Sequence, residues 1–122
     1  MQRFKAGERV RERWRAGERR RQPRIAPVLP VQACGEVSGR IHDISRTGFC
    51  LLTDEPLEEA RLVSFHLVDD ATELSCRFQA CVVWYRPGRP GRAGLEFVGM
   101  SREQDAWLAS RFVDWITAEL DL

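Results

Sequence analysis

Lysine is almost missing from this chain: of nineteen basic residues, only Lys5 is not arginine. Guanidinium groups present a planar fork of donors, so such a chain suits bidentate recognition of phosphate or a guanine edge better than point-charge contact. A biased coding composition would produce the same preference. Histidine and cysteine are scarce and scattered. His42 and His66 stand alone, and Cys34, Cys50, Cys76 and Cys81 form no CxxC pair, so neither a zinc site nor a redox pair is supported. Cys76 and Cys81, five apart in an expected strand, face opposite sides. Thiols without a disulfide framework fit a reducing cytoplasm. No apolar run approaches the roughly eighteen residues of a membrane span, and the first five residues lack the apolar core of a signal peptide. The expectation is a cytoplasmic chain with no membrane span. No Ser-His or Cys-His arrangement and no Gly-rich loop ahead of a helix is legible either, so the reading is not that of an enzyme and no cofactor is expected.

What is present is asymmetric. The 122 residues suffice for one domain with an appendage. Residues 1–24 hold ten Lys or Arg against three Glu (+7), and the remainder holds nine basic against fifteen acidic residues (−6), which sum to the net +1. The basic end therefore reads as a separate segment: residues 1–18 as a basic arm or short charged helix carrying Val10 and Trp14, then residues 19–122 as the folded domain. Gly7 and Gly17 weaken such a helix, so ordering on contact with a ligand or partner is the other reading. Pro23, Pro27 and Pro30 hold the connection extended.

From there, strands come at regular spacing. The expected runs are 28–33, 36–44, 49–53, 61–68, 73–85 and 93–98, with Gly35 and Gly39 at bends and Asp69-Asp70 at a hairpin tip. In the longest run Cys76, Phe78, Ala80, Val82 and Trp84 fall on one face at period two. Six short strands predict a small antiparallel barrel. Ser101 with Gln104 forms a capping box, after which Trp107, Leu108, Phe112, Trp115, Ile116 and Leu120 recur at helical spacing. The aromatics of this closing helix plug the barrel mouth or form the seam of a homodimer.

Two polar stretches stand out against this frame. Arg19, Arg20, Arg21 and Arg24 cluster before the first strand, and Asp43-Ile44-Ser45-Arg46-Thr47-Gly48 makes a polar turn after the second. Guanidinium groups fork onto phosphodiester oxygens or stack on a base, and a carboxylate such as Asp43 accepts from guanine N–H donors. Ser45 supports the turn, and Gly48 permits positive φ or close backbone approach. Together they form a clamp for a planar anion, although each alone is ordinary turn or surface chemistry.

In these motifs the chain resembles the PilZ domain family of bacterial cyclic di-GMP receptors. Arg20-Arg21-Gln22-Pro23-Arg24, preceded by Arg19, is similar to the family's RxxxR pattern. Asp43 to Gly48 matches (D/N)xSxxG, and Gly94-Leu95-Glu96-Phe97 looks like the family's Gly-x-x-Phe. The resemblance covers about residues 19–120. It implies a six-stranded barrel with a C-terminal helix, with Arg19, Arg20 and Arg24 on ligand phosphates and guanines, Asp43 and Ser45 on a guanine, and Gly48 shaping the loop. It further implies signalling to an unidentified downstream protein, with outputs in motility, biofilm or exopolysaccharide, and an arm whose conformation changes on binding. The alternatives are a family member that binds no nucleotide and acts as a scaffold in type IV pilus assembly, or a nucleic-acid binder working through the basic arm.

Overall fold

In a computed structural model, residues 24–27 and 30–120 are described. Alternating apolar residues give six strands, β1 (Val31–Gly35), β2 (Gly39–Ile44), β3 (Gly48–Thr53), β4 (Leu62–Asp69), β5 (Leu74–Arg86) and β6 (Gly91–Val98), followed by helix α1 (Arg102–Leu120). They close into an antiparallel barrel in the order β1-β2-β3-β6-β5-β4, as the strand count predicts. No helix among the described residues is long and apolar enough to cross a membrane.

Side chains alternate across each strand, so in a closed sheet every second residue must be core. Phe49, Leu51, Val63, Phe65, Leu67, Phe78, Ala80, Val82, Leu95 and Phe97 take those places and are buried. The phenylalanine rings form a continuous set, with Phe49 5.4 Å from Phe65 and 5.5 Å from Phe97, and Phe78 5.0 Å from Phe97. Offset and edge contacts of this kind add roughly 0.5–1.5 kcal/mol per pair beyond the area buried.

Several boundaries shift from the sequence expectation. The stretch at 28 and 29 lies outside the described residues, and β1 runs on to Gly35 because it pairs with β4 as far as Gly35↔Phe65. The second strand begins at Gly39, not at 36, since residues 36–38 form the turn between two glycines of positive φ. Asp69 is not a hairpin tip: it still pairs with Val31 and Leu74, and the turn is 70–73. Trp84 leaves the face it was expected to share with Val82. The register slips between Val82 and Trp84, inserting Val83 as a bulge, so Trp84 packs outside the barrel with Cys81, Val83 and Val98. Cys76 and Cys81 do face opposite sides, one against the main core and one in this outer cluster.

Helix α1 starts with the expected box: Ser101 Oγ accepts from Gln104 N at 3.1 Å, and Gln104 Oε1 accepts from Ser101 N at 2.8 Å. Leu108 and Trp115 are buried in the core, and Trp107 reaches Phe78 at 5.7 Å, so the helix closes one end of the barrel. Among these apolar residues sits a buried arginine. Arg111 Nη1 lies 3.3 Å from Asp69 Oδ2, which also accepts from Trp115 Nε1 at 3.1 Å, while Asp69 Oδ1 accepts from Ala71 N. One carboxylate thus ties the β4–β5 turn to the helix. Replacing Asp69 with Ala leaves Arg111 buried without this partner and should cost about 3 kcal/mol or more. Losing the exposed Arg46–Asp105 pair by Asp105→Ala should cost under about 1 kcal/mol. Urea unfolding of the two variants measures the contrast; equal losses would contradict the assignment.

Candidate functional site

Among the described residues ahead of β1, Ile25 joins the sheet beside the polar turn. Ile25 exchanges two backbone bonds with Ile44, each 2.9 Å, and so extends the outer edge of the polar turn by a single bridge. That pairing sets Arg24 beside Asp43, and Arg24 Nη1 lies 2.6 Å from Asp43 Oδ1. Of the residues expected to form the clamp, Arg24 and Asp43 therefore meet directly, whereas Arg19 and Arg20 lie outside the described residues. Both paired side chains keep a little over a quarter of their surface exposed, which leaves the pair accessible from solvent.

The position of Asp43 depends on a bulge. The β2–β3 register slips between Ile41 and Asp43, with His42 as the extra residue. Without it, strict alternation would turn Asp43 inward with Ile41; with it, Ile41 and Ile44 are both core and Asp43 points out. The rest of the turn is fixed from within. Ser45 is fully buried, and its hydroxyl lies 3.2 and 3.3 Å from Thr47 N and Gly48 N, 3.1 Å from Thr47 Oγ1 and 3.3 Å from Gly48 O. Accepting from these two amides, the Ser45 hydroxyl braces the loop from within. Gly48 is required for space and not for positive φ: a Cβ there would lie 2.2 Å from Leu95 O on β6. Arg46 leaves the turn in the other direction and pairs with Asp105 in the first turn of α1 at 2.5 Å.

Cross-strand register reveals neighbours that the motifs do not name. Asp43 pairs with Cys50, Cys50 with Gly94, and Gly94 with Trp84, making one row across the outer face of β2, β3, β6 and β5. Gly94 leaves room for the indole, since a Cβ there would stand 2.2 Å from Trp84 Nε1. Arg86 lies over the Trp84 ring at 5.4 Å, a cation–π contact. The adjacent row is Arg40, Leu52, Arg92 and Arg86, and Arg40 and Leu52 also line a depression of about 430 Å³ that extends to Pro90. The described face therefore holds a carboxylate, an indole and four guanidinium groups around a floor made of a thiol and a glycine. Burial pushes the Cys50 thiol up, Asp43 adds to the rise, and Arg92 and Arg24 oppose it. Chemically, such a face suits a flat anion: cations for charge, an aromatic edge for stacking and a carboxylate for N–H donors. Among the described residues no group of three or more His, Cys, Asp or Glu is placed to hold a metal ion.

Comparison with known proteins agrees with this architecture. A family model described as PilZ domain matches residues 18–114. Among solved structures, the chain is similar to the structure of the Bacillus subtilis inhibitor of motility, MotI/DgrA, with a TM-score of 0.58 and 17% identity over 82% of this chain and 51% of that one. It therefore spans about half the length of that relative. A second similar structure is the PilZ domain of CeSA from a cellulose-synthesizing bacterium, with a TM-score of 0.47 and 18% identity over 68% of this chain and 87% of that one. No curated protein sequence matches.

The shared environment of Cys50 offers a check on the geometry. A thiol reacts as thiolate, so the pH profile of alkylation at Cys50, followed peptide by peptide, reports the charges beside it. Asp43→Asn should move that profile to lower pH, and Arg24→Ala should move it to higher pH. Two shifts of the same sign, or none, would mean that Arg24 and Asp43 do not converge on this row.

Proposed function

The chain belongs to the PilZ domain family, a family of cyclic di-GMP receptors, and from that premise we propose that it binds cyclic di-GMP on the outer face around Asp43 and acts as a receptor, not a catalyst. One observation carries the reading: the Ile25–Ile44 bridge brings the last arginine of RxxxR onto the aspartate of the Asp-x-Ser-x-x-Gly turn. Two motif residues nineteen apart in sequence then form one recognition unit.

In this proposal the Arg24–Asp43 pair holds the site in readiness. The ligand replaces it: Arg24 forks onto a phosphate, assisted by Arg19 and Arg20, and Asp43 accepts from the N–H groups of a guanine. An ion pair this exposed is worth at most about 1 kcal/mol, so exchanging it for charge-assisted bonds to a dianion costs little. Ser45 and Gly48 hold the turn in shape, and Trp84 and Arg92 flank the bound nucleotide. With its arginines neutralised by the ligand, the arm changes how it sits on the barrel, and that change is passed to a downstream protein. Output in motility, biofilm or exopolysaccharide control is proposed with it; one structure similar to this chain is that of an inhibitor of motility.

Calorimetric titration with cyclic di-GMP tests the core of this reading. Saturable binding is expected, and Arg20→Ala or Arg24→Ala should each weaken it about tenfold or more, since each removes charge-assisted bonds worth about 1.5–3 kcal/mol. Asp43→Ala should weaken binding and also reduce discrimination against cyclic di-AMP. Absence of heat would leave a pilus-type scaffold. Binding of a polyanion with a steep salt dependence, and none of the dinucleotide, would leave a nucleic-acid binder.

The switch has its own test in hydrogen exchange. Ligand should raise protection in residues 15–26 and 43–48, with residues 73–98 little altered. Equal protection of the arm with and without saturating ligand would reduce the protein to a passive binding domain.

A further inference from the structure

The C-terminal half of α1 departs from the usual pattern of a surface helix in two respects. Val113, Ile116 and Leu120 are 64%, 42% and 80% exposed. At steps of three and four residues they fall within an arc of about 60°, in a stripe about 10 Å long. The last turn, where a cation would offset the negative end of the helix dipole, contains no basic residue and includes Glu119. Nearby, the guanidinium of Arg111 is already shared between Asp69 and Asp114. The stripe is thus apolar surface set in negative charge. A second copy would bring the same carboxylates against these, so the surface is a poor match for itself. It matches a segment in which arginines are interleaved with large apolar side chains.

The chain contains such a segment. Residues 1–18 carry six Lys or Arg against three Glu (+3), together with Phe4, Val10 and Trp14, and they lie outside the described residues. We infer that residues 1–18 dock in cis on the Val113, Ile116 and Leu120 face of α1. Val10 and Trp14, four apart, supply the apolar contact, and Arg11, Arg13 and Arg15 face Asp114 and Glu119. The reach is sufficient. From Arg24 back to Trp14 the chain can extend about 33 Å, against a radius of gyration of about 14 Å for a domain of this size. Tethering supplies an effective concentration in the millimolar range, so a small contact is enough. The docking stands independently of whether the nucleotide binds at Asp43.

Photo-crosslinking in the full chain tests it. A benzophenone amino acid is introduced at Leu120, unlabelled and isotope-labelled chains are mixed at low micromolar concentration, and products are mapped by mass spectrometry. The expected products are single-isotope cross-links to residues 4–18, reduced about fivefold or more by Trp14→Ser and by Glu119→Lys at unchanged melting temperature. Mixed-isotope products would assign the stripe to an interface between copies and overturn the inference. So would cross-links confined to the barrel, no cross-links, or a yield indifferent to both substitutions.

Discussion

Closure of the sheet governs where every other group can sit. Once β1 pairs with β4, each strand residue must point either into a core already filled by four phenylalanines or out to solvent. A closed ladder cannot absorb a register error by sliding, so each local deviation re-aims the residues beyond it. Two bulges use this. One at His42 turns Asp43 outward while keeping Ile44 in the core, and one at Val83 turns Trp84 outward while keeping Val82 in. The carboxylate and the indole end on the same outer row because of two single-residue insertions on different strands.

Closure also separates the features that are legible in the sequence from those that are not. Strand identity was legible because apolar alternation is a local property, and the helix start was legible because Ser101 and Gln104 satisfy each other within one turn. The two motifs that carry Arg24 and Asp43 were legible, but the ion pair between them was not, since it depends on the Ile25–Ile44 bridge. The row Asp43, Cys50, Gly94 and Trp84 was not legible, since it depends on register across four strands and alternation alone places Trp84 on the wrong face. Two motif residues also gain specific partners in the fold. Gly48 answers to the carbonyl of Leu95 on another strand, and Ser45 to the amides of its own loop, neither of which a one-dimensional pattern distinguishes from a ligand contact.

Arg111 was missed for a different reason. Within the helix it reads as a polar interruption of an apolar stripe, and its partner Asp69 lies forty-two residues earlier. A buried guanidinium is tolerable only where a carboxylate meets it, so neither residue makes sense without the other. Proximity of the polar turn to α1 has the same character: Arg46 and Asp105 are ordinary surface residues in sequence, yet they link the turn that carries Asp43 to the first turn of the helix.

Asp69 also bears on how the molecule opens. Its two oxygens serve the amide of Ala71 in the β4–β5 turn, the guanidinium of Arg111 and the indole of Trp115, and the neighbouring Asp70 amide bonds the carbonyl of Pro30 at the entry to β1. Lifting α1 away would strand a carboxylate against the core, and fraying the hairpin would strand an arginine. Neither event is favourable alone, so helix, hairpin and the approach to β1 behave as a single cooperative unit, and sub-global unfolding must begin elsewhere on the barrel.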